Sequence, residues 1–295
     1  MLTSPVNFTI TWEKLPDKYV LDNEPVENIA QPVLALALTD SLESANKLLV
    51  NALIATNYGI CATVDGKIVV KAPDWAYVPS ISVSREEVKR SYTPRTQGDI
   101  PTIVMEFLSD TDGSEYSIKP TYPPGKWFFY EQILQVPNYV IFDPDTGALE
   151  VYRLNDSGRY QLQQSDANNR YRIDEIGLFL GVWEGTKENR TGNWLRWWNE
   201  QGELLLWGLE LAVRERQRAE RLAAQLRAAG IEPEVGLFGG MVLLVLAKHK
   251  QLLNYTVVFL IVLCSIPNKL AFFLARLYHQ KYGNRTFKTI DCGAS

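Results

Sequence analysis

Ile103-Val-Met-Glu-Phe-Leu-Ser-Asp110 decides the reading of this chain. Ile103 to Leu108 has the composition of a buried β-strand, yet Glu106 sits in its middle, flanked by Met105 and Phe107. Burying an unpaired ionised carboxylate costs far more than a strand tolerates. Glu106 must therefore reach a partner, lose its charge or face a functional site. A metal ion would suffice as partner, and so would an arginine or a lysine.

The neighbouring segments supply a sheet for this strand. Asp74 to Val78 reads as a short strand after Pro73, and residues 84–101 (SREEVKRSYTPRTQGDIP) as a polar loop. Downstream, KWFFYEQIL (126–134) reads as a helix opened by Lys126 after Gly125, with Trp127, Phe128, Tyr130 and Ile133 available for packing. NYVIFDP (138–144) is another strand, and LEVYRL (149–154) pairs with it across the DPDTG turn. Asp65-Gly66, flanked by Val64 and by Ile68 to Val70, is a hairpin signal. Asn46 to Tyr58 carries apolar residues at helical spacing and is read as a helix stopped by Gly59. RYQLQQ, RYRI and GLFLGVW continue in short strands, and NEQG (199–202) is a turn between apolar runs.

The 295 residues carry a formal net charge of −4, so the whole molecule is not a basic glove for nucleic acid, although a local basic groove remains open. Cys61, Cys264 and Cys292 lie far apart and form neither a disulfide framework nor a zinc site. With no secretory signal pattern at the N-terminus, a cytoplasmic setting is expected. Three segments are expected along the chain: a mixed-sheet domain over 1–203, a charged helix over 204–233, and a hydrophobic helical tail over 234–295. The helix (LELAVRERQRAERLAAQLRAAG, 209–230) has Leu209, Val213, Leu222 and Leu226 near one face and alternating charge elsewhere, the pattern of a solvated arm or dimerising coil. In the tail, MVLLVLA (241–247) and YTVVFLIVLCSI (255–266) each fall short of the roughly 20 apolar residues a spanning helix needs. Membrane association through 241–277, buried helices and an appended segment without a role all stand open.

Three residues carry candidate chemistry. Glu106 follows Asp74 by 106 − 74 = 32 positions, and Lys126 follows Glu106 by 126 − 106 = 20. Two carboxylates on adjacent strands can hold a hard divalent cation such as magnesium, which needs only one or two protein carboxylates beside substrate phosphate. A nearby lysine can orient or deprotonate a bound water, or offset charge on phosphorus. The bland alternative is a turn aspartate, a satisfied strand glutamate and an ordinary helix-start lysine.

PDWAYV (73–78), PTIVMEFLS (101–109), GKWFFYEQILQVPNYVIFDP (125–144), LEVYRL (149–154) and GLFLGVWEG (177–185) together resemble the putative restriction endonuclease domain family, in its cyanobacterial-type branch, within the PD-(D/E)XK nuclease superfamily. The resemblance runs from about residue 10 to about residue 233. It implies a restriction-endonuclease-like mixed α+β or α/β sheet flanked by helices, with a magnesium site (manganese substituting) on the central strands and DNA as substrate. Asp74 then matches the aspartate of the PD element and Glu106 the acidic residue of the next, with the Phe107 backbone carbonyl as a further metal ligand. Leu108 stands where that element usually has its lysine. Lys126 matches superfamily members whose lysine has moved to the following helix, and Lys119 competes for the role. Glu24 or Glu27 could complete the site. A second functional class stands beside the endonuclease: a catalytically inactive nuclease fold used for binding or assembly, held to a membrane by its tail. A homodimer would suit an enzyme that cuts two strands.

Overall fold

The Ile103–Phe107 run is an interior strand, and the sheet grows outward from it on both sides. The computed structural model describes residues 8–19, 30–109 and 113–230, with the backbone of 233–238 and 241–246. The chain divides into two units, Met1–Trp207 and Gly208–Ser295. The first contains, in order, β1 (Ile10–Thr11), α1 (Ala30–Ser44), β2 (Leu53–Ala55), β3 (Ile60–Val64), β4 (Lys67–Lys71), β5 (Trp75–Val78) and β6 (Ile103–Phe107). Helix α2 follows, starting as one α-turn (Lys126–Phe128) and continuing as π-helix (Phe129–Leu134). Then come β7 (Asn138–Phe142), β8 (Leu149–Leu154), β9 (Tyr160–Leu162), β10 (Arg170–Ile173), β11 (Leu178–Lys187) and β12 (Arg190–Trp198). The second unit has α3 (Gly208–Ala228) and a hairpin of β13 (Pro233–Phe238) and β14 (Met241–Leu246).

Among the described residues, the main sheet is six-stranded in the order β2-β5-β6-β7-β8-β9. β6 and β7 are parallel, joined by a crossover through α2, and the other pairs are antiparallel. Every residue of β5, β6 and β7 is buried, which is why these strands read as near-continuous apolar runs rather than alternating ones. Alternation still assigns the faces. Trp75, Tyr77, Ile103, Met105 and Phe107 join one core with α1 (Leu34, Leu38) and the β10-β11-β12 sheet (Leu180, Trp194, Trp197). Ala76, Val78, Val104 and Ile141 join the other, with β3 and β4 (Ile60, Val69) and α2 (Phe129, Tyr130, Ile133). The mixed sheet flanked by helices is thus present, and each of its faces also carries a smaller sheet.

Two expectations need correction. The first helix lies at Ala30–Ser44, not at Asn46–Tyr58. Asn46 and Asn57 adopt left-handed backbone conformations (φ 53° and 46°), which asparagine tolerates and a helix does not, and Leu53–Ala55 pairs with β5 instead. The hydrophobic tail does not begin as a helix: the Val- and Leu-rich run at Met241–Leu246 pairs antiparallel with Pro233–Phe238. On α3, Leu209 and Val213 are exposed, and Leu222 and Leu226 are partly covered. The first unit extends to Trp207, whose indole N–H donates to the Ala37 carbonyl (3.0 Å) from within the core. The apolar run at 255–266 lies outside the described residues. No helix among those described is long and apolar enough to cross a membrane.

Candidate active site

Asp74 immediately precedes β5, in which Trp75 pairs with Met105. Continuing that antiparallel register by one residue sets Asp74 opposite Glu106, since 74 + 106 = 75 + 105, and directly opposed residues share a face. The two carboxylates therefore project from the α2 side of the sheet. Asp74 is anchored there by the Phe107 backbone N–H, which donates to its Oδ2 (2.6 Å).

Glu106 is fully buried and paired at both oxygens. The Tyr130 hydroxyl donates to Oε1 (2.9 Å) and the Lys126 ammonium to Oε2 (3.1 Å). Lys126 and Tyr130 stand four residues apart on α2 and so face the sheet together. Lys126 also donates to Glu115 Oε1 (3.1 Å), on a short 3₁₀ turn, Ser114–Tyr116, whose Glu115 carbonyl accepts from the Tyr139 hydroxyl (2.9 Å). Glu115 Oε2 is buried without a hydrogen-bond partner.

The start of α2 is fixed by its approach loop. The Gly125 N–H donates to the Lys119 carbonyl (2.9 Å), and the Phe128 N–H to the Ser117 carbonyl (3.3 Å). A Cβ on residue 125 would lie 2.0 Å from the Ser117 carbonyl oxygen, so glycine is demanded here by close approach. The π-helical stretch that follows carries Tyr130, and such departures from α-geometry recur at functional sites.

Burial dominates the electrostatics. It pushes the Glu106 carboxyl up to about 8, with Asp74 adding to the rise, while the Lys126 ammonium and the two hydrogen bonds limit it. Burial likewise raises Asp74 to about 6, against the Phe107 N–H and Lys126 and with help from Glu115. Burial alone would lower Lys126, but the Glu106 and Glu115 carboxylates outweigh it and hold the ammonium charged. Burial, reinforced by Glu106, keeps the Tyr130 phenol well above its ordinary value. Titratable groups displaced this far concentrate at functional sites.

Of the residues singled out in the sequence, Asp74, Glu106 and Lys126 come together. The Phe107 carbonyl accepts from the Gln31 side-chain amide on α1 (2.8 Å). The Lys119 side chain is exposed in the loop, leaving Lys126 as the amine that contacts Glu106. Glu24 and Glu27 lie outside the described residues. Three further residues join the site: Gln31 and Glu115, which have no place in the sequence reading, and Tyr130, which is read there only as a packing residue. Of these, Tyr130 has a usable signal, its i,i+4 spacing from Lys126. The basic residues of the 84–101 loop are engaged locally: Arg85 donates to the Ala52 carbonyl, Arg90 to those of Pro16 and Asp17, Lys89 pairs with Glu86, and Arg95 lies over Trp12. Trp127 packs edge-on against Tyr139, Tyr152 and Tyr160, a core position.

Among the described residues, no group of three or more histidine, cysteine, aspartate or glutamate side chains is placed to hold a metal ion. The donor set nevertheless suits a hard divalent ion that keeps waters: carboxylate and carbonyl oxygens, with an orphaned carboxylate oxygen on Glu115 close by.

A family model described as Uma2, putative restriction endonuclease, matches residues 35–182. The chain belongs to the Uma2 family. No curated protein matches it. The Uma2 match begins within α1 and ends within β11, so it encloses Asp74, Glu106, Glu115, Lys126 and Tyr130. Gln31 lies just before it. Uma2 membership points to nuclease chemistry.

Proposed function

We propose that this protein is a metal-dependent endonuclease that hydrolyses phosphodiester bonds in DNA. Asp74, Glu106 and the Phe107 carbonyl hold Mg²⁺, for which Mn²⁺ can substitute, and Lys126 serves the reacting phosphate. The observation that carries this reading is Glu106: a fully buried carboxylate, opposite Asp74, facing a lysine and a tyrosine on one helix. A purely structural glutamate would gain little from such a costly position.

When bound, the divalent ion supplies a polarised phosphoryl oxygen and a water of lowered pKa. The chain's own groups supply orientation. The Phe107 N–H fixes one oxygen of Asp74, and Tyr130 fixes one oxygen of Glu106. Lys126, held charged by two carboxylates, acts as a donor rather than a base: its ammonium offsets negative charge growing on phosphorus and hydrogen-bonds the attacking water or a phosphoryl oxygen. Movement of Gln31 off the Phe107 carbonyl would expose that oxygen for binding.

The test is plasmid nicking in Mg²⁺, in Mn²⁺ and in EDTA, with wild type and Asp74→Ala. Nicking should require metal and disappear in the variant, and Lys126→Ala should keep metal binding while losing cleavage. Absence of metal-dependent cleavage of any DNA or RNA overturns the proposal. One observation favours a second reading, a nuclease fold that binds without cutting: Lys126, Tyr130 and Gln31 already occupy the oxygens a metal would need. DNA retention without cleavage, unaffected by EDTA, would select it.

A further inference from the structure

We propose that the exposed loop 116–123 is where unpaired bases of the substrate strand rest beside Lys126, so that single-stranded or frayed DNA is taken in preference to intact duplex. The proposal rests on the nuclease reading above and adds the form of its substrate. Hydrogen bonds put the loop at the site. The Phe128 N–H donates to the Ser117 carbonyl and the Gly125 N–H to the Lys119 carbonyl, so Ile118 lies between two residues bonded to the start of α2. Two positions before Ser117, Glu115 pairs with Lys126 (3.1 Å). The far end is pinned to β4. The Tyr122 hydroxyl donates to the Ile68 carbonyl (3.1 Å), and the Lys67 ammonium lies 5.0 Å from the centre of the Tyr122 ring. The loop is therefore held at both ends.

What it presents to solvent is largely apolar. Buried Glu115 is followed by exposed Tyr116, half-buried Ser117 and exposed Ile118. Ile118 is 69 % exposed and Tyr122 49 %. Single apolar side chains at a surface are ordinary, but Tyr116, Ile118 and Tyr122 share one short loop next to the candidate active site, and such patches mark contact surfaces. The chemistry of the patch selects among forms of DNA. A duplex turns its phosphates outward and its base faces inward, so it offers nothing apolar to Ile118. An unpaired base exposes its faces and stacks on an aromatic ring whatever its identity. Lys67 and Lys119 are exposed at the same loop and supply cations for the phosphates between such bases. The net charge of −4, and the local engagement of the basic residues of the 84–101 loop, argue against a broad cationic cradle for duplex there.

The experiment is fluorescence anisotropy on the full chain in Ca²⁺, with a labelled single-stranded oligonucleotide and the duplex of the same sequence, beside cleavage of both in Mg²⁺. The variants are Ile118→Ser, Tyr122→Ala, Tyr122→Phe and Lys119→Ala. Wild type should bind the single strand more tightly than the duplex. Tyr122→Ala should weaken single-strand binding by roughly 5- to 150-fold, and Tyr122→Phe, which keeps the ring, should bind like wild type. Ile118→Ser should weaken single-strand binding and leave duplex binding unchanged. Lys119→Ala should lower the slope of log affinity against log salt by about 0.7. Equal wild-type affinities for the two DNAs overturn the proposal, as does single-strand binding unaltered in both Ile118→Ser and Tyr122→Ala. Tyr122→Phe as weak as Tyr122→Ala also overturns it, because the hydroxyl's anchor to β4 and not the ring would then matter. Any of these results with Mg²⁺-dependent cleavage retained leaves the nuclease reading intact and removes the loop alone. If Ile118→Ser and Tyr122→Ala convert a self-associating wild type to a monomer in sedimentation without changing DNA binding, the loop joins copies of the chain and the proposal falls. No binding or cleavage of either DNA by wild type removes both.

Discussion

Glu106→Gln should stabilise the metal-free protein at neutral pH. Burial lifts the Glu106 carboxyl from its ordinary 4.5 to about 8 in the folded chain. Between those values the folded state holds a proton that the unfolded state has released. The stability this confers is complete below about 4.5 and is lost as pH rises through about 8. Each pH unit in that window is worth about 1.4 kcal/mol, so wild type at pH 7.5 has lost about 4 kcal/mol relative to pH 4.5 through this group. Glutamine cannot ionise, and its amide can mimic the neutral acid, accepting from Lys126 and donating to Tyr130. In EDTA at pH 7.5 the variant should therefore exceed wild type by up to about 4 kcal/mol. That is roughly 10 °C in melting temperature for a unit of this size. Asp74, raised to about 6, gives a smaller dependence of the same sign that both proteins keep. The assay is urea or thermal unfolding at pH 5, 6, 7 and 8 in EDTA. Parallel pH profiles for the two proteins, or a variant less stable at pH 7.5, would refute the reasoning.

Tyr130→Phe removes one of the two donors to Glu106. It should cost about 1.5–3 kcal/mol at pH 9.5, where the carboxylate is charged, and clearly less at pH 5, where it is neutral; equal losses at both pH values in EDTA would count against this. Gly125→Ala drives a methyl group into the Ser117 carbonyl and must shift the loop that seats Lys126. Unfolding should show a loss of about 1–3 kcal/mol, and nicking should fall more steeply than stability does. An alanine variant with wild-type stability and activity would show that the close approach is not required.

How much the sequence discloses varies with where each residue's environment comes from. β6, β7 and β8 are legible because burial on both faces, or pairing across a DPDTG turn, leaves a local signature. The Asp65-Gly66 hairpin is equally plain, and both residues take the positive φ (49° and 75°) that such a turn requires. α1 escapes a sequence reading because its polarity blurs its period: Leu36 is exposed while Ser41 is fully buried. Asp74 and Glu106 stand out as charges in apolar strands, but Glu115 does not. It lies in the polar run Gly113-Ser-Glu-Tyr-Ser117 that reads as loop, and only the return of α2 and β7 buries it. Gln31 meets the Phe107 carbonyl across 76 positions of chain, a contact no local pattern announces.

Diffraction at the manganese absorption edge from crystals soaked in Mn²⁺ addresses the central claim without relying on turnover. An anomalous peak bridging the Asp74 and Glu106 carboxylates, with Gln31 turned away from the Phe107 carbonyl, is the predicted result. Saturating Mn²⁺ with no density between those two residues, and with Lys126 and Tyr130 still closed on Glu106, would contradict the account.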